Sequence, residues 1–405
     1  MSRPKVALIV TTYFFGSHAD VLGTRLIEGY EWHGQHVDPR VEVVSMYLEQ
    51  QGAHLRRDRV LRPDIGVEIA ERNHVPLFPT VGEAIGCGRG GVAVDGVVII
   101  GEHGDYESNE FGQKLYPRRR LFDAAVATMA GAGRYVPIFN DKHLSYSVGD
   151  ALHMVGTARR LGIPMVAGST IPLSWRIPAG SQWPFGEAMT DAVAVGYGEA
   201  ESYGFHTLEG LQAHVERRLG GETGVVAVQA YSGERAVRAC TDGTVDPQLL
   251  DRALGSLELD ESARARAVQG AAEVYLIDYA DGLRAAAVTC HQEVANWGAA
   301  CRGPAHEMAC QMYLPGASPG KPSEHFIFLA RQLESAILTG EEPTPVERTL
   351  ITTGILDAAM LSRHRDGARL TTPELNEVSY QPSADIADTG VFTTYPEPVR
   401  PVEGG

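Results

Sequence analysis

The feature that most limits what this chain can become is an alternation in its first 170 residues, where short unbroken apolar runs take turns with helix-patterned segments. Lys5–Val10 reads KVALIV, apolar after its first residue. Such a run suits a strand buried on both faces, as strands of parallel sheets are. Ser17-His18-Ala19-Asp20 reads as a capping box, a hydroxyl at the N-cap and an acid three residues on. It opens a helix through Leu22, Leu26, Ile27 and Tyr30. Further strands are predicted at 41–46, 76–78, 95–101, 135–139 and 164–168, and helices at 65–72, 121–132 and 147–161. Strands joined through helices cross over and pair in parallel. The predicted fold class is α/β, with a Rossmann-type doubly wound parallel sheet over residues 1–170.

Past a stretch rich in Pro, Trp and Gly (171–185) the pattern changes. Alternating runs at 192–195, 224–231, 273–279 and 283–289 predict strands, the last two joined by the turn sequence Ala280-Asp281-Gly282. Helices are predicted at 207–218, 247–254, 326–339 and 345–363. This gives an α+β domain over 171–370 with a mainly antiparallel sheet, and a tail over 371–405 extended along the surface. Trp175 and Trp183 either wall a pocket between the domains or pack there.

Composition narrows the partners. A formal charge of −16 repels nucleic acid and anionic membrane. No apolar run reaches the roughly 18 residues of a membrane span. The opening MSRPKVALIV lacks a long apolar segment with a small-residue cleavage site, which predicts a chain that is not secreted. Five cysteines, none in a C-x-x-C spacing, predict neither a disulfide framework nor a cysteine zinc knuckle, and fit a reducing cytoplasm. The expected partner is a small-molecule substrate.

The pattern G-x-G-x-x-G occurs at Gly86-Cys87-Gly88-Arg89-Gly90-Gly91, but it follows a helix and precedes a strand. A dinucleotide loop needs the reverse order, so this one reads as an ordinary loop. The place for a nucleotide loop is after the first strand, where the first two glycine positions fall on β-branched Val10 and Thr12. The second strand runs Ser45-Met46-Tyr47-Leu48 before any acid, Glu49, that could meet a ribose hydroxyl.

Several segments, in order, resemble the glucose–fructose oxidoreductase/inositol dehydrogenase (Gfo/Idh/MocA) family. The stretch from Gly133-Arg134-Tyr135-Val136 to Asn140-Asp141-Lys142 is similar to its G-K-H-V-x-x-E-K-P segment. GEAESYGFHTLE, from Gly198 to Glu209, is similar to its G-G-x-x-x-D-x-G-x-H-x-x-D motif. Asp281-Gly282 and the helix from Pro345 to Arg363 resemble its later landmarks. The resemblance implies a bound nicotinamide nucleotide (NAD or NADP), a sugar- or polyol-like substrate and a homo-oligomer formed through the second sheet. It places Lys142 and His206 at the catalytic lysine and histidine, with Ser202 where the family has an Asp and His143 where it has a proline.

In an open parallel sheet, ligands sit outside the carboxyl ends of the strands. Thr11, Thr12, Tyr13, Gly101 and Glu102 are accordingly the candidates for cofactor contact, and His103, Asp141, His143 and Ser202 for substrate contact. A lysine beside a histidine has its ammonium disfavoured and can exchange a proton with a substrate hydroxyl. Glu102, His103, Asp105 and Glu201 form an alternative: imidazole and carboxylates together suit a divalent metal. His18 reads as structural, and Arg118-Arg119-Arg120 as an exposed helix start. The expected activity is NAD(P)-dependent oxidation or reduction at a hydroxyl or carbonyl carbon. The alternatives are a non-redox lyase, isomerase or hydrolase on the same scaffold, with a degenerate nucleotide site and a divalent metal or none, and a binding protein or pseudoenzyme.

Overall fold

A computed structural model describes residues 2–32, 34–52, 54–55, 61–291, 293–314 and 323–383. Strands β1 (Lys5–Val10), β2 (Glu42–Leu48), β3 (Gly96–Ile100), β4 (Ile138–Asp141) and β5 (Met165–Gly168) form one sheet in the order β2-β1-β3-β4-β5. Every pairing in it is parallel. The run at 76–78 contributes a single parallel bridge, Leu77 to Met46, on the outer side of β2. With that bridge counted, the strands lie in the order of a doubly wound dinucleotide-binding sheet.

The apolar runs behave as their lack of alternation requires. Val6, Leu8 and Val10 face one core, shared with Leu22, Leu26 and Ile69. Ala7 and Ile9 face the other, against Leu121, Phe122, Met154 and Val155. Those residues belong to α4 (Arg118–Ala132) and α5 (Val148–Leu161). The first core also takes in Leu173 and Trp175, together with Phe326, Phe328 and Leu329 of α10 (Phe326–Thr339), so the chain returns late to cover the first sheet.

The helix after β1 departs from expectation. It opens as a π-turn, Ala19–Gly23, continues only over α1 (Thr24–Glu28), and Tyr30 begins a short strand. The helix predicted at 65–72 forms as α2 (Gly66–Arg72), and the G-x-G-x-x-G segment lies in the turn between α3 (Val81–Ile85) and β3, as predicted.

The second sheet has the order β6-β12-β11-β7-β10-β9-β8-β13. Its strands are β6 (Trp175–Ile177), β7 (Asp191–Tyr197), β8 (Val225–Ser232), β9 (Ala271–Tyr279), β10 (Arg284–Cys290), β11 (Trp297–Arg302), β12 (Glu307–Tyr313) and β13 (Leu370–Thr371). Only β7 and β10 pair in parallel; the remaining pairs are antiparallel. Asp281 closes the β9–β10 hairpin by accepting from the Leu283 amide. Helices α6 (Ser202–Val215) and α11 (Glu347–His364) cover one face, through Phe205, Leu208, Ile351 and Ile355. Ala236, Leu249, Leu250 and Ala267, from α7 (Glu234–Thr241), α8 (Pro247–Gly255) and α9 (Glu261–Gln269), cover the other. Both tryptophans of the joining segment are core residues: Trp175 stacks on Trp32, and Trp183 is sealed from solvent. The tail is not simply extended. It adds β13 to the sheet, makes a helical turn at Pro373–Asn376 and buries Tyr380; residues 384–405 lie outside those described. No helix of the described residues is long and apolar enough to cross a membrane.

Candidate active site

The carboxyl ends of β1, β3, β4 and β5 open toward the start of α6, and the candidate residues meet there. At the end of β3 the backbone passes tightly under α4: a Cβ on Gly101 would lie 2.8 Å from Cγ of Arg118. Glu102 follows, its carbonyl accepting from the Thr11 hydroxyl at 2.9 Å. Its carboxylate is buried between two cations, Nζ of Lys142 at 3.0 Å and the guanidinium of Arg118. Burial opposes charge on Glu102, but Lys142 and then Arg118 hold its carboxyl well below the usual range.

Arg118 was expected in an exposed helix start. Instead it is wholly buried, donates to Nε2 of His143 at 3.1 Å and lies 4.9 Å from the Tyr116 ring centre. The reason is position: the first residue of α4 points inward beneath Gly101, while Arg120 stays outside. His143, a candidate for substrate contact, is likewise buried, packed on Phe205. Burial and the neighbouring Arg118 keep its imidazole neutral. Its work is to hold Arg118.

Lys142 stands on strained backbone, at φ +61°, a left-handed conformation that non-glycine residues seldom adopt. Two backbone hydrogen bonds with Gly168, of 3.1 and 3.2 Å, fix it there. His103 is the second such residue in the cleft, at φ +66°, its ring packed against Phe14 and His18. Strain of this kind collects where geometry serves chemistry.

From the second domain, α6 presents His206 one turn in from Ser202. The His206 ring lies edge-on to Trp297 and Tyr203. Burial first, and then the charge of Lys142, hold the imidazole in its neutral form. Its Nδ1 is buried without a hydrogen-bond partner. Glu201, just before the helix, accepts the Lys114 amide on both oxygens at 2.9 Å and lies 3.9 Å from Nε2 of His143. Burial pushes its carboxyl up to about 7. Ser202 is half-buried at the start of the helix.

The sequence had set Lys142 beside a histidine. The structure adds a carboxylate at 3.0 Å, so Lys142 enters the cleft as half of a buried ion pair. Asp141 is wholly buried and accepts from Nδ1 of His18 at 2.7 Å, an interaction that sequence reading missed. Nothing local predicts a bond across 123 residues of chain.

The metal alternative is not supported by the arrangement. Among the described residues, no group of three His, Cys, Asp or Glu side chains is placed to hold an ion. Glu102 already serves two cations, Glu201 faces a backbone amide, and Asp105 is exposed, its amide bound to Gln50 at 2.8 Å.

A dinucleotide needs an anion cradle at the helix after β1, and that cradle is filled from within. The Gly16 amide donates to the carboxylate of Asp20 at 2.8 Å, and the amides of Phe14 and Asp20 donate to the Ser17 hydroxyl. A fixed carboxylate thus stands where a diphosphate would be neutralised. Thr11, Thr12 and Tyr13, expected at a cofactor, are turned inward and sealed, with the Tyr13 hydroxyl bound to Thr24.

Glu49 corrects one expectation, because β2 runs to Leu48 and the acid directly follows it. It is, however, engaged by Arg120 at 2.6 Å and the Tyr106 hydroxyl at 2.8 Å. The segment carrying Tyr106 packs onto the ends of β1 and β2. A Cβ on Gly104 would lie 2.6 Å from the Tyr106 ring, 3.0 Å from Gln50 and 3.1 Å from Thr12. These residues do not fit a dinucleotide held in the manner usual for this sheet.

No family model matches the sequence, and no curated protein does. Solved structures do match. GenD2 from gentamicin A biosynthesis, determined in complex with NAD, aligns at TM-score 0.55 and 16% identity over 92% of this chain and 97% of its own. Scyllo-inositol dehydrogenase from Lactobacillus casei, with bound NAD(H) and scyllo-inositol, aligns at 0.52 and 10% over 91% and 99%. A putative myo-inositol dehydrogenase from Sinorhizobium meliloti 1021 aligns at 0.53 and 12% over 91% and 99%. The likeness covers both domains, and the fold expected from the resemblance is the fold observed.

Proposed function

From a chain with the two-domain fold of GenD2 and these inositol dehydrogenases, we propose an enzyme that moves a proton at a hydroxyl or carbonyl carbon of a small polyol- or sugar-like molecule. The reaction is of the lyase or isomerase kind and uses no nicotinamide nucleotide. The observation that carries it is Asp20: its carboxylate accepts the Gly16 amide at the place where the fold ordinarily binds a diphosphate. The substrate half of the cleft keeps its chemistry. Lys142 is a cation held by Glu102, able to stabilise negative charge developing on a substrate oxygen. His206 is a neutral imidazole able to accept or relay a proton. Arg118, itself bound to His143, holds Glu102 from behind. The substrate class is carried over from the neighbours, one of which holds scyllo-inositol.

The second reading is NAD(P)-dependent oxidation or reduction at the same carbon, supported by the neighbours that carry NAD and by Glu49 directly after β2. Association with a second copy belongs to the proposal in either form. The test is solvent exchange: ketoses, aldoses, keto-inositols and aldonates are incubated with the protein in D2O, without nucleotide, and followed by proton NMR. Deuterium entering one carbon position, lost in Lys142→Met, is the expected result. Turnover that begins only when a nucleotide is added would establish the second reading instead.

A further inference from the structure

We infer that His18, oriented by Asp141, is a proton-accepting group of this cleft, a role no feature of the sequence assigns to it. The inference rests on the function proposed above and adds a residue to it. Nδ1 of His18 lies 2.7 Å from Oδ2 of Asp141, whose side chain is 1% exposed while that of His18 is 15% exposed. An ionised carboxylate only accepts hydrogen bonds, so Nδ1 carries the proton and Nε2 carries the lone pair. Among the described residues Nε2 has no hydrogen-bond partner, and it is not sealed from solvent. The other oxygen of Asp141 is buried with no partner. The carboxylate therefore has His18 as its side-chain partner.

The two residues come from distant chain and are held firmly. Asp141 ends β4 in register with Gly168, and His18 follows Ser17, whose hydroxyl caps the turn. The cap uses Ser17 and Asp20 and has no need of a histidine between them. Beyond His18 the chain forms a π-turn, a rare geometry often found at functional sites. The His18 ring is edge-on to His103 and Phe326, with ring centres 5.6 and 5.1 Å away, and its partner Asp141 directly precedes Lys142. It thus belongs to the same cleft as Lys142 and His206.

In the step envisaged, a proton leaves a carbon or hydroxyl of the substrate for Nε2 of His18. The electron pair stays on the substrate, stabilised by the Lys142 ammonium, while Asp141 stabilises the imidazolium. The same proton, or one exchanged with solvent, is returned to the product, so nothing is oxidised or reduced.

Two measurements test this, and the first needs no substrate. In 15N-histidine-labelled protein, with the signal assigned through His18→Gln, the neutral His18 is expected to carry its proton on Nδ1. Asp141→Asn is expected to remove that preference. A proton on Nε2, or an unchanged preference in Asp141→Asn, overturns the dyad. Should Asp141→Asn fail to fold, the tautomer of the unaltered protein decides alone.

In the exchange assay, His18→Gln should lose about 10³-fold in rate, within the range of general acid–base catalysis. His153→Gln, a change at an exposed histidine bonded to Asp123 outside the cleft, should lose nothing. Exchange that persists within about threefold in His18→Gln overturns the inference and leaves the proposed function standing. If the unaltered protein exchanges no substrate, the proposed function fails, and the tautomer still decides whether the dyad exists.

Discussion

Nζ of Lys142 lies 3.0 Å from one oxygen of Glu102, and Arg118 takes the other oxygen of the same buried carboxylate. Removing that negative charge leaves two cations in a sealed place without a counterion. Breaking a buried pair in this way costs about 3–5 kcal/mol. Glu102→Gln is therefore expected to unfold at markedly lower urea concentration at pH 7. The sign with pH follows from the cause. Lys142 and Arg118 hold the folded-state carboxyl well below its ordinary value, so the stabilisation is complete above the unfolded value near 4.5. It is lost as pH falls through the lower folded value. Glu102→Gln should narrow its deficit in acid, and a constant deficit from pH 7 downward would contradict the assignment.

Glu201 should show the opposite sign. Burial raises its carboxyl to about 7, so the folded protein keeps a proton that the unfolded chain has released. Between pH 4.5 and about 7 its contribution to stability falls as pH rises. The whole effect is on the order of 3 kcal/mol, at about 1.4 kcal/mol per unit. Glu201→Gln keeps an acceptor for the Lys114 amide and never ionises. Its stability, measured by urea unfolding across this window, should gain on that of the unaltered protein. Parallel curves would place the charge of Glu201 elsewhere.

Gly101 is where a single methyl should reach the chemistry. A Cβ there would stand 2.8 Å from Cγ of the fully buried Arg118, which has no room to retreat. Gly101→Ala is expected to cost about 1–3 kcal/mol through overpacking. It should also displace the guanidinium that joins Glu102 to His143, lowering exchange activity at least tenfold. Unchanged stability and activity would mean that Arg118 is not held as described.

Much of the fold was legible because burial on both faces erases alternation: the runs around Val6–Val10 and Val97–Ile100 could be little but parallel strands. Among the strands missed, β6, β11 and β12 lack that signature. WGAACR and EMACQMY are built from small and mixed residues, and their β identity comes from neighbours distant in sequence. In the site, Lys142, His206 and Glu102 could be placed because they sit at strand ends or on a recognisable helix start. Arg118 and His18 could not. One is the first of three arginines and only its position on α4 turns it inward; the other meets Asp141 through tertiary contact alone. Glu49 was misjudged by where the strand ends, since β2 runs two residues past the predicted boundary at Met46.

In the proposed reading the protein's own Asp20 carboxylate and the segment carrying Tyr106 fill the dinucleotide half of the cleft. Native mass spectrometry of the purified protein, alone and with NAD+, NADH, NADP+ and NADPH added to millimolar concentration, tests it most directly. The mass of the bare chain, or a whole-number multiple of it, is expected under every condition. A stoichiometric dinucleotide adduct, retained from the cell or gained on addition, would contradict it and restore hydride transfer as the chemistry of this cleft.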